Sequence, residues 1–434
     1  MLQKAALAAF AAAVFALSSL SLPQTPAAGE LSARDQKELG GLLGKALDPK
    51  KQDFKDKDKA QADLRKFFDK AGKTRNPKDP LQGGLSMTVD LSKALFFAAD
   101  YKLAGVKPGQ VSDVLINPKQ DNEISYSLWV PKSYKPADGA SYPLILCLPG
   151  MKDGKVVTGQ GHLLENWIDA TLREKALIAV LNMPADAKSW TEAEAAPGKP
   201  GGIAIALLTL RDLRARYAID YDRVYVTGRE AGVMPAFALA SKFPQVFAGV
   251  IGRSGDTGDV SADNFRDLPT FISGGGAQTA AFEEQTKALG YNNCTVKSDG
   301  SDADVLAWMD AHPRLGNPAK ITLAPGKPIP TRAYWLRVPP TDVGSAAVRI
   351  EGEIDRAKNT ITITGVGVRQ VTLMLNDVLV DMDKPITVVL NGTTQEALLR
   401  RSLEDTISMM YDATSEPGRV YVARQTFDLP AATK

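Results

Sequence analysis

The chain has 434 residues, 44% hydrophobic and 24% charged, with 52 Lys and Arg against 50 Asp and Glu for a formal net charge of +2. That balance argues against a nucleic-acid binder, the apolar share against a disordered chain, and the two cysteines against a disulfide scaffold. The two histidines, His162 and His312, exclude a His-rich metal centre and confine any imidazole chemistry to two positions.

The N-terminus opens Met1-Leu2-Gln3-Lys4, followed by an apolar run over 5–20 and small residues around Thr25-Pro26-Ala27. A positive start, a short apolar centre and small residues beyond it describe an export signal over residues 1–27. The run is shorter than the roughly 20 residues needed to span a bilayer, and no later segment is long and apolar enough. The expectation is an exported chain, periplasmic or extracellular, with no transmembrane anchor. Export exposes Cys147 and Cys294 to an oxidising compartment, where they are read as two separate core residues rather than a bridge.

Residues 28–109 read as a helical region. Leu39, Leu42, Leu43 and Leu47 recur at helical spacing behind an N-cap at Ser32, Leu64, Phe67 and Phe68 mark a second stripe, and Leu91, Leu95 and Phe96 a third. The Lys/Asp alternation around 50–59 is a solvated face.

From 110 to 318 strands alternate with helices. Strands are expected at 111–116, 124–130, 143–148, 176–182, 223–226, 248–251, 269–272 and 294–297, with helices at 202–217 and 232–242. Strands separated by helices specify an α/β fold with a mostly parallel sheet covered on both faces, and the first strands, joined without a helix, an antiparallel edge. Residues 319–434 turn β-rich, with strands at 333–338, 346–354, 360–364, 371–375, 386–390 and 419–424 and a helix at 402–411. This tail reads as an accessory domain.

At Tyr225-Val-Thr-Gly-Arg-Glu-Ala-Gly-Val233 a strand ends in Gly-x-x-x-Gly and runs into a helix. Small residues flanking a sharp strand-to-helix turn are what a nucleophile elbow requires, and the lifted residue is Glu230. Around it, "YSLWVPKSY", "YPLILCLPG" and "IDYDRVYVTGREAGVMPAFALASKFPQVFAGVIGRSG" resemble secreted carboxylesterases and related peptidases of the α/β-hydrolase superfamily, over about half of the chain. The tail resembles a β domain appended to such hydrolases.

The resemblance implies a Ser nucleophile, an acid and a His, with backbone N–H donors for the oxyanion. The nucleophile position is Glu230, and no G-x-S-x-G occurs. The loop expected to carry the acid reads Ser273-Gly-Gly-Gly-Ala-Gln278, and the loop expected to carry the His reads Ser298-Asp-Gly-Ser-Asp302. His312 comes too late in the chain. Catalytic candidates are therefore Glu230, His162, just beyond the oxyanion-side loop, and Asp256 as a displaced acid. Binding candidates are Gly150 and Met151 on that loop, Ala231 after the elbow residue, Arg229 and Arg253 as partners for Glu230, and Trp190 as a cap over the cleft on a lid-like loop, 185–201.

Three functional readings follow. One is a pseudo-hydrolase whose cleft binds a small-molecule, polymer or protein ligand. The second is an active esterase-type hydrolase with a Glu nucleophile or a displaced His. The third is a structural protein–protein interaction module of the envelope. No cofactor, metal or nucleic-acid partner is expected.

Overall fold

The computed structural model describes residues 31–48, 53–99, 101, 105–116, 124–136, 140–152, 155–183, 189–192, 194–324, 332–339, 348–411 and 419–431. The export signal expected over 1–27 lies outside the described residues. No helix among the described residues is long and apolar enough to cross a membrane.

Four helices come first: α1 (Ala33–Ala46), α2 (Phe54–Gly72), α3 (Pro80–Leu85) and α4 (Thr88–Leu95). Ser32 caps α1 by accepting from the Asp35 N–H, and Asp53 caps α2 in the same way from Asp56. Leu39 and Leu43 of α1 and Leu64, Phe67 and Phe68 of α2 form the buried stripe.

An eight-stranded sheet follows. Its strands are β1 (Val111–Leu115), β2 (Ser125–Trp129), β3 (Tyr142–Leu148), β4 (Leu177–Leu181), β5 (Ile219–Arg229), β6 (Gly249–Arg253), β7 (Thr270–Ser273) and β8 (Cys294–Lys297). The spatial order is 1-2-4-3-5-6-7-8. Strand β2 runs antiparallel to both neighbours, and β3 to β8 are mutually parallel. This is the strand order of the α/β-hydrolase sheet, as the resemblance implied.

Alternation along β3 explains why both faces must be covered. Leu144, Leu146 and Leu148 face a core shared with α7 (Gly202–Arg216), α8 (Val233–Lys242) and α9 (Ala277–Ala288). Ile145 and Cys147 face the opposite core, built by α5 (Gly159–Glu165), α6 (Ala170–Lys175) and α10 (Asp302–Ala311). Both cysteines are free thiols: Cys147 is buried in the middle of β3, and Cys294 lies on the edge strand β8.

The C-terminal region has two sheets. One orders β9 (Lys320–Leu323), β12 (Arg349–Asp355), β13 (Thr360–Val366), β15 (Ile386–Leu390) and β16 (Thr393–Ala397). The other orders β10 (Arg332–Ala333), β11 (Leu336–Arg337), β14 (Gln370–Leu375) and β17 (Ala423–Asp428), with helix α11 (Leu403–Tyr411) preceding β17.

Two strand expectations are corrected here, and strand β16 was not expected. The stretch 333–338 is two short strands folded around Tyr334, whose φ is +48°. Strand β16 is exposed along almost its whole length, so it carries no apolar signal and is held by backbone pairing to β15. The last strand is Ala423–Asp428 rather than 419–424: Val420, Tyr421 and Val422 are buried core residues ahead of it, and β17 itself is mostly polar.

The α1–α4 region and the C-terminal sheets share one hydrophobic core, in which Leu39, Leu64 and Phe68 join Trp335, Ile361 and Leu373. Gln82 of α3 clamps the backbone of Arg401, donating to its carbonyl at 2.7 Å and accepting from its N–H at 3.0 Å. Polar contacts to the eight-stranded sheet region include Asn264, which exchanges two hydrogen bonds with the backbone of Ala324, and the Tyr334 hydroxyl, which donates to the Pro244 and Asp267 carbonyls, while Phe96 packs against that region's apolar core.

Candidate functional site

Strand β5 ends at Arg229, a single 3₁₀ turn spans Glu230–Gly232, and α8 begins at Val233. Glu230 sits at φ +52°, a left-handed conformation that non-glycine residues rarely adopt. A Cβ on Gly228 would lie 1.9 Å from the Gly232 carbonyl oxygen, and one on Gly232 would lie 2.3 Å from that of Leu148. The turn is therefore as tight as an elbow demands, and those two glycines are the ones that permit it.

The loop leaving β3 crosses directly against the turn. A Cβ on Gly150 would stand 2.6 Å from the Arg229 carbonyl oxygen and 3.5 Å from the Glu230 Cβ. Met151 continues it into a short hairpin, Met151–Lys152 paired with Lys155–Val156. The Trp190 indole donates to the Pro149 carbonyl at 3.2 Å and is buried, so it buttresses this loop from behind instead of capping the cleft. Gly202 is the reason it fits: a Cβ there would reach within 2.2 Å of the Trp190 Cα. The lid-like loop lies partly outside the described residues.

The electrostatics differ from the sequence expectation. The Arg253 guanidinium does not pair with Glu230. It donates to Asp302 at 2.6 Å and to the Gly300 carbonyl at 3.2 Å, and it lies 5.0 Å over the Trp167 ring. Arg229 is the near cation, but its Nε is 3.8 Å from the Glu230 carboxylate, beyond hydrogen-bond range. Their side chains are 39% and 56% exposed, so this pair is a loose surface contact. Ala231 follows on the exposed side of the turn.

Asp256 does not face the elbow as a free acid. Its carboxylate accepts from the Thr279 N–H and from the Thr279 hydroxyl at 2.7 Å, and from the Gln278 N–H at 3.4 Å. It closes the first turn of α9, whose own N-cap residue, Gly276, has no side chain to do so.

His162 lies within α5 and is only 4% exposed, not on the surface. Burial pushes its imidazole down to about 4, and the positive charges of Arg229 and Arg253 add to the effect. It is a neutral ring behind the site. His312 is committed elsewhere: it caps α10, its Nδ1 lies 2.7 Å from the Trp308 carbonyl, and its ring stacks on Trp308.

The turns at the ends of β5, β6, β7 and β8 adjoin one another. A Cβ on Gly255 would lie 2.2 Å from the Glu230 carbonyl oxygen, and one on Gly274 would lie 3.7 Å from the Ser254 Cα and 3.6 Å from the Ser298 carbonyl oxygen. Ser254 also has a positive φ, +55°. Beside these turns opens a pocket of about 370 Å³ lined by Arg229, Arg253, Trp167, Ile168, Ser301 and Asp302 among others. Trp167 is a further left-handed residue, at φ +57°. Strained non-glycine residues gather at functional sites more than elsewhere, and three of them meet around this one.

Trp167 and Asp302 were missed in the sequence. Asp302 is visible there only as part of the Ser301–Asp304 capping box, and its reach to Arg253 depends on β6 and α10 being neighbours in space. A larger pocket, about 650 Å³, lies at the other end of β5 between α1, α4, residues 219–222 and Arg419. Over the eleven residues of β5 that end is roughly 30 Å from Glu230, so it belongs to the junction of the regions and not to the elbow. No cluster of His, Cys, Asp and Glu suited to a metal ion occurs among the described residues.

No protein-family model matches the chain. No curated protein matches it either. Among solved structures, a thermostable esterase is 19% identical over 47% of this chain and 63% of its own, with a TM-score of 0.38. An S-formylglutathione hydrolase from Staphylococcus aureus is 13% identical over 46% of this chain and 95% of its own, at 0.34. Esterases from Rhizomucor miehei give 14% over 52% of this chain and 89% of theirs, also at 0.34. The chain thus spans less than two thirds of the first esterase's length. The strand order, the antiparallel β2 and the strand-turn-helix at Glu230 carry the fold assignment on their own: an α/β-hydrolase-like sheet with helical and β-rich additions.

Proposed function

We propose that the chain is a non-catalytic binding protein built on a hydrolase sheet, exported by its first 27 residues, with the cleft beside Glu230 as its recognition site. One observation carries the reading: the residue held at φ +52° on the elbow is a carboxylate, and the adjoining turns at 273–276 and 298–301 bring no imidazole to it. Without Ser no acyl-enzyme forms at the elbow, and without a poised His nothing takes the nucleophile's proton. The active-hydrolase alternative needs His162 as base. An imidazole pushed down to about 4 by burial is a poor proton acceptor at neutral pH.

The test is hydrolysis of p-nitrophenyl acetate and butyrate by the purified chain. Turnover is expected to equal that of Glu230→Ala, and Glu230→Ser is expected to restore nothing. Glu230-dependent turnover, or burst kinetics from the Ser variant, overturns the reading in favour of the active hydrolase.

A further inference from the structure

The charges lining the pocket beside the elbow can be sorted by their partners. Arg253 is held by Asp302 and the Gly300 carbonyl, and Asp302 also accepts from the Asp169 N–H at 3.1 Å. The Asp169 carboxylate caps α6 by accepting from Leu172 at 2.9 Å. Glu165 also has a partner. Arg229 is left over: it lines the pocket, and among the described residues no acceptor lies within hydrogen-bond distance of its guanidinium. Ile168, in the pocket lining, is 64% exposed and offers an apolar surface beside Arg229.

We propose that this pocket is a carboxylate-binding site, with Arg229 as the anchor and Ile168 flanking the apolar body of a small organic acid. The assignment rests on the binding reading above and names its ligand class. A guanidinium fork matches a carboxylate with two parallel hydrogen bonds. The volume of about 370 Å³ suits a small ligand. The floor is preorganised, because Arg253 is clamped between Asp302 and the Trp167 ring and cannot turn toward Glu230.

Glu230 gives the proposal a sign that a general polar pocket lacks. Its carboxylate sits 3.8 Å from Arg229 and opposes an incoming anion. Neutralising Glu230 therefore tightens carboxylate binding, and neutralising Arg229 weakens it.

The experiment is calorimetric titration of the full chain at low salt with sodium benzoate, and with benzamide as the uncharged comparator. Arg229→Gln is expected to lose roughly tenfold in benzoate affinity while leaving benzamide unchanged. Arg229→Lys should keep part of that affinity. Glu230→Gln should gain about threefold. Thermal melts of each variant establish that it folds. Benzoate binding that survives Arg229→Gln, binding that weakens in Glu230→Gln, or no saturable benzoate binding overturns the assignment. If benzamide binds as well as benzoate and ignores Arg229, the carboxylate assignment falls and the binding reading stands. If the chain turns over esters through Glu230, the binding reading falls, and the Arg229 effect on benzoate still decides this one.

Discussion

A buried imidazole makes a sharp prediction about acid stability. His162 is 4% exposed, and its pKa falls from 6.5 to about 4 because burial and two nearby guanidiniums disfavour the charged form. The unfolded chain binds a proton near 6.5 that the folded chain refuses until about 4. In that window the unfolded state holds more protons, so stability rises with pH. The contribution is complete above the unfolded value and is lost as pH falls from 6.5 toward 4. Going from about pH 7.5 to about pH 5 should remove about 2 kcal/mol, since each pKa unit is worth about 1.4.

Asp267 works in the opposite direction, because burial pushes its carboxyl up to about 7. Burial raises the carboxyls of Asp90, Asp220 and Asp377 as well, so a raw pH profile mixes opposing slopes and the comparison must be with a variant. His162→Gln removes the imidazole and leaves Asp267 in place. Urea unfolding followed by tryptophan fluorescence at the two pH values measures the gap between the chains. Wild type should lose about 2 kcal/mol more than His162→Gln on acidification. A gap that does not change with pH refutes the buried, neutral assignment of His162.

Two further predictions concern packing. Gly228→Ala places a Cβ 1.9 Å from the Gly232 carbonyl oxygen and should destabilise by about 3 kcal/mol or more. Gly41→Ala on the exposed face of α1 meets nothing within 4 Å and should gain up to about 1 kcal/mol; thermal denaturation separates the two, and a harmless Gly228→Ala would mean the elbow is not so tight. Gln82→Ala removes both hydrogen bonds to the Arg401 backbone and should lower stability by about 2 kcal/mol. Hydrogen exchange should show α1–α4 and the C-terminal strands losing protection together, because they share one core; independent exchange of the two would contradict that.

Local pattern alone determined most of the elements. Apolar runs such as residues 144–148 and Leu177–Leu181 are buried on both faces, and so announce central parallel strands without help from elsewhere. Ser32 before the Leu39 and Leu43 stripe announced α1, and glycines at 228 and 232 around Glu230 announced the elbow, because each signal is a short-range steric or capping requirement. Only the tertiary structure decided the partners. The Arg253–Asp302 pair joins residues 49 apart, and Asp256 caps a helix 23 residues away at Thr279; neither separation has a period that a sequence displays. Strand β16 was silent because it packs almost nothing and is held by backbone hydrogen bonds, which any residue but proline can make. The core shared by α1–α4 and the C-terminal sheets was equally hidden: a buried stripe states that a helix needs a partner, and the rest of the fold decides which surface supplies it.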